Sequence, residues 1–141
     1  MKKSYVFLFL FAALFVSGMI SKVYAQNEPV LYFCEEYDSK KGEIGVSDRF
    51  TTGYLTVMVK SDYELGLTDV HIQFDKLNDR GNKFEFYKKF DYVIESDMSY
   101  VFFAKNSDSD LKFEEPGLYR VFLLDDRDKT VASALIEIIS K

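Results

Sequence analysis

The sequence has one histidine, His71, one cysteine, Cys34, no tryptophan and two prolines. Each scarcity removes a class of function. One cysteine cannot close an internal disulfide, so the fold must rest on its core. Burial in the apolar run "VLYFC" is the expected state of Cys34. One histidine and one cysteine make a poor zinc or transition-metal set. Nucleophilic catalysis needs a positioned base, and the one imidazole falls on the outward parity of a regular strand pattern, with no serine in a G-x-S-x-G setting. Basic residues are also in deficit, 18 against 23 acidic. An acidic surface repels nucleic acid and anionic lipid, so a nucleic-acid partner is excluded. The sequence implies no cofactor, no metal and no enzyme activity.

Apolar residues concentrate first at the N-terminus. Lys2 and Lys3 precede a continuous apolar and small-residue run from Val6 to Ile20, and "VYA" precedes Gln26. This is the pattern of a secretory signal peptide over residues 1–25. The run is shorter than the roughly 20 residues that span a bilayer, so no stable membrane insertion is expected after cleavage. No cysteine follows the run to accept a lipid. The expectation is a bacterial-type exported protein, periplasmic or extracellular, whose mature chain is a single domain over residues 26–141. Losing Lys2, Lys3 and Lys22 would take the formal net charge from −5 to −8.

The remainder alternates with a period of two, the mark of half-buried strands. Strands are expected at 30–34, 53–60, 68–77, 83–94, 99–104, 117–125 and 130–139. In "TDVHIQFDKL", Val70, Ile72 and Phe74 share one face, His71, Gln73 and Asp75 the other. "KFEFYKKFDYVI" sets Phe84, Phe86, Phe90, Tyr92 and Ile94 on a single parity, interrupted by Lys88; it reads as one bent strand or two short ones. "NDRGN", "NSDSD" and "DDRDK" are turn chemistry. The 35–52 segment is long for a connection. It reads as a functional loop or as the seat of an extra strand near "EIGVS". About seven short strands and no helical period argue an all-β antiparallel sandwich.

"EPGLYRV", residues 115–121, narrows that class. Glu115, Gly117 and Tyr119 occupy alternate positions. The stretch resembles the start of strand F in immunoglobulin-like sandwiches, where a tyrosine hydroxyl bonds back to the corner backbone. The resemblance spans some seven residues and implies fold alone. Val121 stands where antibody-type domains carry a cysteine, and their core tryptophan is missing.

Carboxylates are abundant but lack calcium spacing. Antiparallel connectivity would gather Glu35, Glu36, Asp38, Glu43, Asp48, Asp79, Asp108, Asp110, Glu114 and Glu115 at one end of a sandwich. Asp62, Glu64, Glu95, Asp97, Asp125, Asp126 and Asp128 would gather at the other. No loop matches the D-x-[DN]-x-[DN]-G pattern. Carbohydrate or small-ligand binding by loops at one end is the alternative function. It rests on Tyr54 and Tyr87 as outward tyrosines, without the tryptophan platform such sites favour.

The strand "GLYRVFLLD" carries the leading expectation. With Tyr119, Val121 and Leu123 inward, Leu118, Arg120, Phe122 and Leu124 face out. A strand with one solvated face should be polar there. Val131, Ser133, Leu135 and Glu137 share one parity of the final strand. Phe122, Leu124, Val131 and Leu135, edged by Arg120, are therefore expected to form an apolar face for a protein partner or self-association. The 35–52 segment is the competing cover for that face.

Overall fold

A computed structural model describes residues 28–106 and 110–141. The expected signal segment 1–25 and Asp108 lie outside the described residues. The described chain is all-β, with no helix. Its strands are β1 (Val30–Cys34), β2 (Glu36–Asp38), β3 (Gly42–Ile44), β4 (Arg49–Thr51), β5 (Gly53–Tyr54), β6 (Thr56–Lys60), β7 (Asp69–Leu77), β8 (Phe84–Val93), β9 (Tyr100–Phe103), β10 (Lys112–Phe113), β11 (Gly117–Leu124) and β12 (Thr130–Ile139). All seven expected segments carry strand, the second divided at Leu55. The additions come mainly from the 35–52 segment, which supplies β2, β3 and β4.

Two sheets carry the fold, one ordered β1-β6-β9 and one ordered β4-β12-β11-β7-β8. The pairs within them are antiparallel, except that β4 runs parallel to β12. Alternation explains what each strand buries. Leu31 and Phe33, Val57 and Val59, and Val101 and Phe103 enter from the three-stranded sheet. Val70, Ile72, Phe74, Tyr119, Val121, Leu123, Ile136 and Ile138 enter from the five-stranded sheet, and all belong to one hydrophobic cluster. Its centre is aromatic. Phe74 stacks on Phe113 at 4.7 Å, and Phe113 meets the edge of Tyr119 at 5.0 Å.

Tyr119 is fully buried, and its hydroxyl needs a partner there. It donates to the Glu115 carbonyl at 2.7 Å. Lys76 reaches over the same ring and pairs with Glu115. Gly117 between them has φ +149, and a Cβ there would lie 3.0 Å from Lys76 Cε. The corner thus needs its glycine for backbone conformation and for space.

Strand β8 departs from the parity read in its sequence. Phe74 pairs with Lys88, but Asp75 pairs with Phe86, leaving Tyr87 as an extra residue. This is a β-bulge, which reverses the facing of everything beyond it. Phe90 and Tyr92 keep the inner side and pack on the core, and Tyr87 turns in with them, edge-on to Tyr119 at 5.4 Å. Phe84 and Phe86 pass to the outer side. The single-parity expectation therefore fails for those two residues, and Tyr87 is not an outward tyrosine.

The β2–β3 hairpin lies over part of the other sheet's outer face. Tyr32, Met58 and Phe102 stand side by side there, with Cys34 beside Thr56. Tyr37 of the hairpin stacks on Phe102 at 4.4 Å. Met58, Thr56 and Cys34 are buried as a result, and the Cys34 thiol is free, with burial pushing its pKa up. Glu43 fastens the hairpin. Its carboxylate accepts hydrogen bonds from the Tyr32 and Tyr100 hydroxyls, each at 2.5 Å. Those bonds hold Glu43 below the usual carboxylate range. Burial and the same carboxylate push Tyr100 up to about 12 and Tyr32 higher still.

Two predictions follow from these contacts. Tyr119→Phe removes one buried hydrogen bond and should cost on the order of 1 kcal/mol. Urea melts should show a lowered midpoint at unchanged slope; an unmoved midpoint contradicts the corner. For Glu43, a folded pKa below the unfolded value means stability that is present above the unfolded pKa, about 4.3. It is lost as pH falls through the folded value. Wild type should therefore exceed Glu43→Gln in melting temperature at neutral pH, with the gap closing in acid. A gap independent of pH contradicts the charged clamp.

Candidate partner-binding face

The five-stranded sheet turns its second face outward, and the register places its residues in rows. One row runs Leu135 (β12), Arg120 (β11), Asp75 (β7), Phe86 (β8). The next holds Ser133, Phe122, Gln73 and Lys89. Leu135 is 50% exposed and Phe86 66%. Phe122 and Phe84 are half-buried and Arg120 is exposed. The Arg120 guanidinium lies 5.6 Å from the Phe122 ring centre and 6.0 Å from that of Phe84. Both are cation–π distances. The arginine thus bridges the two aromatic groups that the β8 bulge brings to one side.

The expected face is changed in composition. Phe122, Leu135 and Arg120 are on it. Leu124 is buried, not exposed, at 5%. It pairs with His71 just before the Asp125–Lys129 turn. That turn reaches across β7, where Asp128 pairs with Lys89 of β8. Val131 packs against the main core instead. Leu123 pairs with Ala132 and Leu124 with Thr130, so Val131 is the extra residue of a second bulge. Phe84, Phe86 and Asp75 were missing from the expectation. The signal for the first two was Lys88, a lysine at an inward position of an otherwise aromatic parity. The competing cover is elsewhere, because β2 and β3 lie on the three-stranded sheet and β4 extends the edge beside β12.

Several other polar groups make structural contacts. His71 Nδ1 and Asp91 Oδ1 are 2.6 Å apart across β7 and β8, with Asp128 at 3.9 Å from Nε2. Asp125 accepts from the Arg127 and Lys129 amides at 3.0 and 2.8 Å. This turn chemistry holds Asp128 at φ 61. Asp38 accepts from the Lys40 and Lys41 amides. Lys88 takes Glu114 at 3.0 Å, which holds that carboxyl below its ordinary range. Among the described residues no three His, Cys, Asp or Glu side chains converge as a metal set. Tyr54 is exposed, but Lys105 lies 4.4 Å from its ring centre and donates to its hydroxyl at 3.1 Å. A groove of about 630 Å³ runs along Arg49–Leu55 and Ile139, and its Arg49 is paired with Glu137 at 3.0 Å.

The outer sheet face is therefore the candidate site. Comparison with known proteins matches the chain to no family model and to no curated relative.

Proposed function

We propose that this is an exported, non-enzymatic, immunoglobulin-like β-sandwich that binds another protein through the outer face of its five-stranded sheet, as an accessory component of an envelope or surface assembly. The sandwich reading is supported by strand order. With the seven expected strands lettered in chain order A, B, C, C′, E, F, G, the sheets run A-B-E and G-F-C-C′, the arrangement of variable-type domains on those strands. The Glu115–Tyr119 hydrogen bond supplies the matching corner. Export rests on the sequence of residues 1–25.

One observation carries the binding reading. Phe84, Arg120 and Phe122 form a contiguous aromatic–cation group flanked by exposed Leu135 and Phe86. Contiguous apolar patches on a monomer mark association sites, and interface cores favour aromatic residues and arginine over lysine and glutamate. Burying such side chains is worth roughly 25 cal/mol per Å² of apolar area before the costs of association.

The test is Phe122→Glu, read by thermal melt and by site-specific photo-crosslinking from position 86 in the native extract. An intact melt with loss of a defined crosslinked adduct is expected. A large fall in melting temperature would make Phe122 a core residue. An unchanged adduct would make the face idle.

A further inference from the structure

We infer that the occupant of this face is a second copy of the chain, docked about a two-fold axis that runs along the strands between β11 and β7. The inference rests on the reading of the face as a protein-binding surface and deepens it by naming the partner.

The row Leu135–Arg120–Asp75–Phe86 carries it. Read across the sheet it is apolar, positive, negative, apolar. A two-fold axis along the strands, between the two charged positions, reverses the row onto itself. Each Arg120 then faces the mate's Asp75, and each Leu135 faces the mate's Phe86. An isologous interface requires this relation, with residue i meeting j and j meeting i. Sheets packed face to face keep their strand directions within about 30°, so the rows stay in contact.

Within one chain the two charges do not use each other. Arg120 and Asp75 are cross-strand partners, yet the guanidinium lies over Phe84 and Phe122, and Asp75 Oδ1 accepts from Gln73 Nε2 at 2.8 Å. Among the described residues no carboxylate forms an ion pair with Arg120. Its planar fork is held by two rings and keeps donors for an incoming carboxylate.

The same charges fix the register. Moving the axis onto β11 would stack Arg120 on Arg120, and moving it onto β7 would stack Asp75 on Asp75. Both misdockings juxtapose like charges, which disfavours them. The row thus favours one arrangement and opposes its nearest neighbours. The apolar ends Leu135 and Phe86, half or more exposed in the single chain, are covered by the mate in this arrangement.

Charge exchange tests this. Sedimentation velocity over a concentration series is run on wild type, Arg120→Asp, Asp75→Arg and the double variant, each checked by thermal melt. Wild type should show a monomer–dimer equilibrium. Each single variant should weaken it by about tenfold or more, and the double variant should recover most of that loss, because the reversed row is again self-complementary. If a single variant fails to fold, Arg120→Gln and Asp75→Asn replace the pair, and each should weaken the dimer. A wild type monomeric at all concentrations overturns the inference, as does a double variant no stronger than the singles. A monomer that still gives a Phe122-dependent adduct keeps the face and refutes the second copy. A dimer that persists in Phe122→Glu lies elsewhere and refutes the second copy on this face; an adduct that also persists refutes the face itself.

Discussion

One extra residue in β8 decides what this protein presents to its surroundings. Opposite Phe74 and Asp75 the strand places Lys88 and Phe86, and Tyr87 between them has no partner. The inserted residue shifts the strand's two-residue period by one. Phe90, Tyr92 and Tyr87 go to the core, whereas Phe84 and Phe86 go to the outer face. Without the bulge the strand would drive Phe84 and Phe86 inward with Phe90 and Tyr92, turn Tyr87 outward, and take the Phe84 ring away from Arg120. The bulge also bends a long edge strand that carries Lys88 and Lys89, both features that oppose edge-to-edge pairing.

The two sheets treat their outer faces in opposite ways. The three-stranded sheet has Tyr32, Phe102, Met58 and Cys34 outside, and the β2–β3 hairpin lies over part of that face, with Met58 and Cys34 buried and Phe102 still 48% exposed. A carboxylate shared by two tyrosine hydroxyls anchors that cover. Among the described residues the five-stranded sheet receives no such cover. Its 35–52 neighbour contributes only β4 at the edge. The hairpin shields part of one outer face, and the other keeps Leu135 and Phe86 exposed. The shift of Leu124 and Val131 out of that surface makes it smaller beside β12 and larger beside β8.

Much of the fold was legible because alternation is a local signal. β7 and the inward set Tyr119, Val121 and Leu123 follow directly from it, and the corner follows from Glu115, Gly117 and Tyr119. What was not legible depends on pairing. The bulges at Tyr87 and Val131 exist only in the register of a partner strand, so Phe84, Phe86 and Val131 were given the wrong side. Leu124 has the outward parity but is buried beside His71 and the following turn. The 35–52 segment was seen as long, but its hairpin depends on contacts with Phe102 and Tyr100, more than fifty residues away in the chain. The site was therefore legible at its centre, Arg120 and Phe122, and illegible at its β8 side.

The account depends on how the aromatic residues of β8 divide between the two faces. Side-chain nuclear Overhauser effects measure that division directly. Cross-peaks are predicted between the Phe84 ring and the Arg120 side chain, and between the Tyr87 and Tyr119 rings, with none joining Phe84 or Phe86 to Phe74 or Phe113. Cross-peaks from Phe84 or Phe86 to those core rings, with Tyr87 free of Tyr119, would remove the bulge and the outer face with it.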